Sequence, residues 1–542
     1  LHLFSFEPFS RITSFGSQSY DAQWSLWFSR EFNLDFYLYW ILAALLFYVS
    51  YQGWLRVRLR SKQIFLWRKI LLFFPAVFCW YGIHFQTLGV GHYEDEISYL
   101  YQARLLARAQ PQGLLLPEEI IHSYSVPNVW INRDGRLVGS YSIGYPLLLA
   151  PFDFMGCREF FPILLCFLST LILFKILGMC FSRRRILPYL LVAFNPWFAL
   201  FSAYYFSQSL VLLICSWILL RRLKNHPFII DWGLVGSMAL IRPPDALIMA
   251  SALFCWQILM YWRKEKLIRK SEWMSPGLIL LFLPLHFLNQ KWITGSYFLP
   301  TYAVFSKFHK LGFSEDVGIM EPWGYNLSQA IKNLVLVLLS LNDTLFGWPA
   351  LSLLPIVLAI FVWKRSKLSQ LQSRMLRFSC LLLCLWFGFY FFYFYPGICL
   401  GPRFHFPLLP VLIGISAFGI LGLGRLRSVF AVLSLLSLWN CFQWQDRLKD
   451  SGGVWSRPLD IIEKRNGLRL DESMIYVIKE DSTKKPDLTQ RSLFAQFYQY
   501  NDPFDIDHPR FLRIEDYTRN PGWFQTRYGN RLRMLEFKTS QK

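Results

Sequence analysis

Apolar runs long enough to cross a bilayer recur along this chain, and clusters of Lys and Arg separate them at every second interval. That alternation constrains the fold more than any motif. A hydrocarbon core about 30 Å thick needs roughly 20 apolar residues per helix. Basic residues in short connecting loops stay on the cytoplasmic side. Runs at residues 36–54 and 70–87 flank Arg56, Arg58, Arg60, Lys62, Arg68 and Lys69. Runs at 160–180 and 187–203 flank Arg183, Arg184 and Arg185, and the run 209–220 ends at Arg221, Arg222 and Lys224. Runs at 229–241, 246–262 and 278–291 follow, with Arg263, Lys264, Lys266, Arg269 and Lys270 after the second of them. The run 349–363 leads to Lys364, Arg365 and Lys367. The runs 378–395, 404–423 and 429–440 complete the series, with Arg425 and Arg427 between the last two. Every strongly basic connection falls on one side, which predicts an all-α polytopic membrane protein of about eleven to twelve spans.

On this topology three polar segments lie on the opposite, non-cytoplasmic face: 88–158, 292–344 and a tail from about residue 443. The expected organisation is an N-terminal segment, 1–69, with one helix and a basic loop. A membrane module, 70–442, and a small C-terminal α/β extramembrane domain, 443–542, follow. Residues 474–478 have strand character. The first apolar run is internal and long, so no cleavable signal peptide is read at the start. The expected location is the plasma (inner) membrane, with any site on the external loops facing the periplasm or the outside.

Composition supports this class and excludes others. Only 17% of the 542 residues are charged, against about a quarter in soluble domains. The net charge of +21 would suggest nucleic acid in a soluble protein. Here it is distributed as the loop clusters above, so no nucleic-acid partner is expected. The ten cysteines include no C-x-x-C pair, which excludes a zinc ribbon or a thioredoxin-type motif. The phosphate-cradling, dinucleotide-binding and zincin motifs are also missing from the sequence, so an ATP-driven pump and a zincin protease are not expected.

The first external segment opens with Gly91-His92-Tyr93-Glu94-Asp95-Glu96-Ile97-Ser98-Tyr99-Leu100-Tyr101-Gln102-Ala103-Arg104. Residues 97–109 read as an amphipathic helix with Ile97, Leu100, Tyr101 and Leu105 on one face. Asp95 then sits at the helix N-terminus, where backbone amides and the dipole stabilise negative charge. An oriented carboxylate at a membrane surface is what a general base requires; the same position also suits plain helix capping. His92 and Glu94 are candidate ligands for a divalent cation, the one cofactor these residues suggest, although their spacing matches no known metal pattern.

Two arginines stand at membrane boundaries. Arg242 ends an apolar run before Pro243-Pro244-Asp245. Arg403 closes Pro396-Gly397-Ile398-Cys399-Leu400-Gly401-Pro402. A planar guanidinium suits a lipid phosphate. Snorkelling to the headgroups is the alternative, and the glycines and prolines around Arg403 favour a shaped loop. Asp134-Gly135 reads as a turn. Aromatic residues in Ser140–Pro146 and Asn342–Pro349 suit an interfacial belt, or stacking on a sugar. In the tail, Asp502, Asp505, Asp507 and His508 read as a solvated acidic loop.

Asp95-Glu96 followed by Tyr99-Leu100-Tyr101-Gln102-Ala103 resembles the acidic pair and helix of the bacterial protein O-mannosyltransferase-like family, within the GT-C glycosyltransferases. The resemblance continues in order through Gly135–Pro146, Leu345-Phe346-Gly347-Trp348-Pro349, Tyr395-Pro396-Gly397 and Gly401-Pro402-Arg403, and covers roughly residues 70–440. It implies a GT-C fold and inverting transfer of a sugar from a polyprenyl-phosphate donor to a lipid, glycan or protein acceptor. It further implies Asp95 as the catalytic carboxylate, with Glu96 supporting it or binding a cation. Arg403 and Arg242 would hold the donor phosphate, and Tyr99, Gln102 and Tyr141 would line the substrate site. The sequence departs from the family at Glu94 and at Ser142-Ile143-Gly144, where prolines are commoner, and this leaves the donor sugar open. A polyprenyl-linked glycan ligase or polymerase, or a non-enzymatic lipid or polysaccharide transporter, remain the other readings.

Overall fold

The structure is a computed structural model. It describes residues 61–84, 94–124, 128–181, 186–263, 270–301, 310–318, 324–348, 351–365, 368–398, 400–423, 427, 429–437, 474–479, 506, 507, 509 and 511–536. The expected run 36–54, His92, the side chain of Glu94, Asp502, Asp505 and His508 lie outside the described residues.

In chain order, α1 (Ser61–Gly82) precedes α2 (Glu94–Ala107), β1 (Leu114–Leu115), α3 (Glu118–Tyr124), β2 (Val129–Ile131) and β3 (Arg136–Gly139). Next come α4 (Gly144–Phe154), α5 (Phe160–Cys180), α6 (Leu187–Ala193), α7 (Pro196–Ser202), α8 (Ser207–Leu223), α9 (Ile229–Ala239) and α10 (Pro243–Trp262). They are followed by α11 (Lys270–Met274), a 3-10 turn (Ser275–Leu281), α12 (Leu283–Thr294), α13 (Leu327–Thr344), α14 (Leu354–Arg365) and α15 (Gln370–Phe391). A second 3-10 turn (Arg403–Leu408) leads into α16 (Leu409–Leu421). The C-terminal segment holds β4 (Ile475–Lys479), β5 (Phe511–Arg513), α17 (Ile514–Arg519), α18 (Pro521–Tyr528) and β6 (Leu532–Glu536).

The protein is a helical, polytopic membrane protein. Among the described residues, six helices or fused helical stretches are long and apolar enough to cross a bilayer. They are Phe65–Gly82, Phe160–Cys180, Pro243–Trp262, Ser271–Thr294, Gln370–Phe391 and Arg403–Leu421. Several expected runs take other shapes for local reasons. The run 187–203 is two short helices, because Pro196 starts α7 and the Asn195 side chain caps it by accepting from the Phe198 amide at 2.7 Å. Helix α15 begins eight residues before the apolar run, at a capping box in which Ser369 and Gln372 satisfy each other's amides. Two prolines fill the first turn of α10, where their missing amide hydrogens are not needed.

One large buried cluster, centred on α5 to α10 with α15 and α16, forms the apolar body. The basic connection after α8 is not simply solvated. Arg221 and Arg222 both pair with Asp231 of α9, and both Arg222 and Asp231 are buried. A buried charge at a membrane boundary is tolerable only with such a partner.

The segment between α2 and α4 carries an antiparallel sheet of order β1-β3-β2. Val129 pairs with Gly139 and Ile131 with Leu137. The β2–β3 turn is closed by Asn132, whose side-chain oxygen accepts from the amides of Asp134 and Arg136, both at 2.9 Å. Asp134-Gly135 therefore forms the turn that its composition suggests. The C-terminal sheet is parallel, order β5-β4-β6, with β4 in the centre.

Candidate active site

Helix α2 starts one turn earlier than its apolar pattern indicates, at Glu94-Asp95-Glu96. Three carboxylates in a first helical turn complement the unpaired amides and the dipole there. Asp95 and Glu96 meet different surroundings. Glu96 is fully buried, and its Oε1 accepts from the Tyr205 amide at 2.6 Å. It ties the helix to the stretch between α7 and α8. Asp95 retains 18% of its side-chain exposure.

Asp95 collects three donors. Tyr141 Oη donates to Oδ1 at 2.5 Å and Asn128 Nδ2 donates to the same oxygen at 3.1 Å. Arg403 Nη1 donates to Oδ2 at 2.7 Å, from 308 residues along the chain. Hydrogen bonds between ionised partners are roughly twice as strong as neutral ones.

The residues around this carboxylate are held by the adjacent sheet. Gln102 Nε2 donates to the Tyr141 carbonyl at 2.7 Å and lies 3.4 Å from that of Gly139. Ser98 Oγ accepts from the Ser140 amide at 3.2 Å. A Cβ at Gly139 would stand 2.4 Å from Gln102 Cγ, so β3 can approach α2 this closely only with glycine there. The Tyr99 ring packs at a tilt against Tyr141, with centroids 4.8 Å apart, and its hydroxyl bonds Ser207 Oγ at 2.9 Å. Tyr99, Gln102 and Tyr141, all expected at the substrate site, thus converge on Asp95 or support the tyrosine that contacts it.

Arg403 is presented by a tight loop. Its amide donates to the Gly397 carbonyl at 2.9 Å, and Ile398 bridges Pro402. Gly401 has φ +93°, and a Cβ there would stand 2.8 Å from Trp197 Nε1. The loop is therefore shaped, as its glycines and prolines suggest. Its guanidinium carbon lies 5.3 Å from the Phe404 ring centroid and 5.6 Å from that of Tyr395.

The second arginine lies near the same ring. The Arg242 guanidinium carbon is 5.2 Å from the Phe404 centroid. Arg242 Nε donates to Asp245 Oδ2 at 2.7 Å, and Tyr390 Oη donates to Oδ1 at 2.5 Å. Asp245 is fully buried. Phe404 is held by Tyr390, stacked at 5.2 Å, and by Trp386 Nε1, which donates to the Phe404 carbonyl at 2.9 Å.

Asn128, Asp245, Tyr390 and Phe404 belong to this constellation and were not singled out by sequence reasoning. Asp245 was accessible, since it stands three residues after Arg242 at helical spacing. Asn128 has φ +65°, a left-handed conformation that Asn tolerates better than most residues, and no sequence pattern announces it. Among the described residues, no group of three or more His, Cys, Asp or Glu side chains converges as a metal site. The candidate cation ligands His92 and Glu94 have no described side chains.

No family model and no curated protein matches the chain. Two solved structures are similar to it. One is a crystal structure of ArnT from Cupriavidus metallidurans bound to undecaprenyl phosphate, with 11% identity and a TM-score of 0.48, covering 84% of this chain and 91% of that one. The other is the same protein in the apo state, with 12% identity and a TM-score of 0.45, covering 84% and 88%. Neither is named as an O-mannosyltransferase, so that subfamily rests on the sequence resemblance alone.

Proposed function

We propose that the chain is a GT-C-type glycosyltransferase that moves a sugar from a polyprenyl-phosphate donor to an acceptor hydroxyl on the non-cytoplasmic face of the inner membrane. The observation that carries this reading is the meeting of Asp95 and Arg403, with Arg242 close to the same Phe404 ring. A base and two cations from three parts of the chain share one partly open site. Inverting transfer needs that combination. The acceptor oxygen attacks the anomeric carbon as its proton passes to Asp95. The bond from that carbon to the phosphate oxygen breaks, and polyprenyl phosphate leaves with the electron pair. Arg403 and Arg242 neutralise the growing negative charge, the term that usually dominates such reactions. Arg403 would exchange its contact with Asp95 for one with the phosphate, leaving Asp95 Oδ2 to accept the proton. Tyr141 and Asn128 keep the carboxylate oriented through Oδ1, and Glu96 supports it by anchoring α2.

The test is direct. Purified protein in detergent is incubated with a panel of radiolabelled polyprenyl-phosphate sugars and candidate hydroxyl acceptors. Release of polyprenyl phosphate with any donor supports the reading. No turnover with any monosaccharide donor would contradict it and favour a glycan ligase or a transporter.

A further inference from the structure

The helix that presents Asp95 has two buried faces, and residues from the far end of the chain cover the second. Tyr99 and Ala103 belong to the large apolar body. Ile97, Tyr101 and Leu105, four residues apart, belong to a separate cluster with Ile120 and Tyr124 of α3 and with Val477, Phe511 and Phe524 of the C-terminal segment. The contact path is stepwise. Strand β5 and helix α17 pack on α3, and α3 shares its buried face with α2.

A polar contact crosses the seam. Ser123 Oγ donates to Asp516 Oδ2 at 2.5 Å, 393 residues apart, and both side chains are at most 1% exposed. An apolar seam alone is non-directional and tolerates sliding. A buried carboxylate must keep its hydrogen bonds, because losing them carries a large desolvation cost. The pair therefore fixes how the C-terminal segment sits on α3. Tyr101 separately ties α2 to β3, donating to the Leu137 carbonyl at 2.8 Å. Burial there pushes its phenol up, so it stays a donor.

We infer that the C-terminal α/β segment is a clamp that orients α2, and that Asp516, through Ser123, is a positioning residue for Asp95. This rests on the role proposed for Asp95. The reacting carboxylate stands on the first turn of α2, where a small tilt displaces it most, and misplacement by about 1 Å can cost about a hundredfold in rate.

The test uses full-length Asp516→Ala, Ser123→Ala and Asp516→Asn, the last retaining an acceptor oxygen for Ser123. Hydrogen exchange of the α2 amides is followed beside steady-state kinetics. In both alanine variants the α2 amides should exchange faster while those of α5 stay unchanged. In the same variants kcat should fall about tenfold with donor KM within twofold, and Asp516→Asn should recover most of the loss. Ser123→Ala serves if Asp516→Ala does not fold. Unchanged α2 exchange, faster exchange with unchanged kcat, or a change confined to KM would each overturn the clamp. Faster α2 exchange in the alanine variants, with no donor turned over even by the wild-type protein, would leave the clamp standing and remove the transferase reading alone.

Discussion

Two arginine–aspartate pairs lie close to one aromatic ring, that of Phe404, and they are built differently. Arg242–Asp245 is local, three residues apart at the start of one helix, and its carboxylate is fully buried beneath Tyr390. Asp95–Arg403 joins the first turn of α2 to a loop 308 residues away, and the two side chains keep 18% and 13% exposure. A fully buried carboxylate is costly to leave unpaired and holds its partner, even though Arg242 keeps 14% exposure, close to the 13% of Arg403. A partly solvated pair between separate elements can open to a substrate. The contrast assigns Arg242 a fixed cationic wall and Asp95–Arg403 the parts that change partners during transfer.

Mutations can break this contrast in descending order of effect. Asp95→Asn keeps the shape and removes the base, so turnover should fall about a thousandfold, with the thermal midpoint in detergent nearly unchanged. If both fell together, Asp95 would be structural. Arg242→Met leaves Asp245 buried with Tyr390 and no cation, which should cost about 3 kcal/mol of stability in denaturant unfolding. Adding Asp245→Asn should recover most of it. If Arg242→Met were as stable as wild type, the two pairs would not differ as described.

Arg403→Lys keeps the charge but loses the planar fork, so kcat/KM for the donor should fall between tenfold and a hundredfold, on the order of 2 kcal/mol. Stability should change little, and an equal loss for substrates lacking phosphate would refute the role of Arg403 in holding the phosphate. Asn128 gives the smallest expected effect. Asn128→Ala removes a donor to Asp95 and places Ala at φ +65°, costing about 1 kcal/mol of stability and severalfold in rate. Asn128→Gly should show the rate loss without the strain, and the two variants together separate positioning from backbone cost.

The spans and the separate residues Asp95, Arg242 and Arg403 were legible in the sequence, for a physical reason, while their pairing was not. Span length, loop charge and the Gly-Pro setting of Arg403 are local properties that composition records. Asp95 stood out because three consecutive acids at a helix start are chemically conspicuous. The amphipathic reading of α2 was incomplete: Leu100 packs against the large body while Ile97, Tyr101 and Leu105 face the other cluster. A helix buried on two sides has no single apolar stripe to read. Phe404, Tyr390 and Asp516 were silent because their roles arise from packing across hundreds of residues. The break at Asn195-Pro196 was readable from its residues, but the apolar run on either side obscured it.

The central claim is that Asp95 accepts the acceptor's proton while the arginines hold the phosphate. Its most direct test compares donor binding and single-turnover transfer in wild type and Asp95→Asn. Unchanged donor affinity with transfer slowed about a thousandfold is the predicted result. Transfer at the wild-type rate in Asp95→Asn would contradict the account.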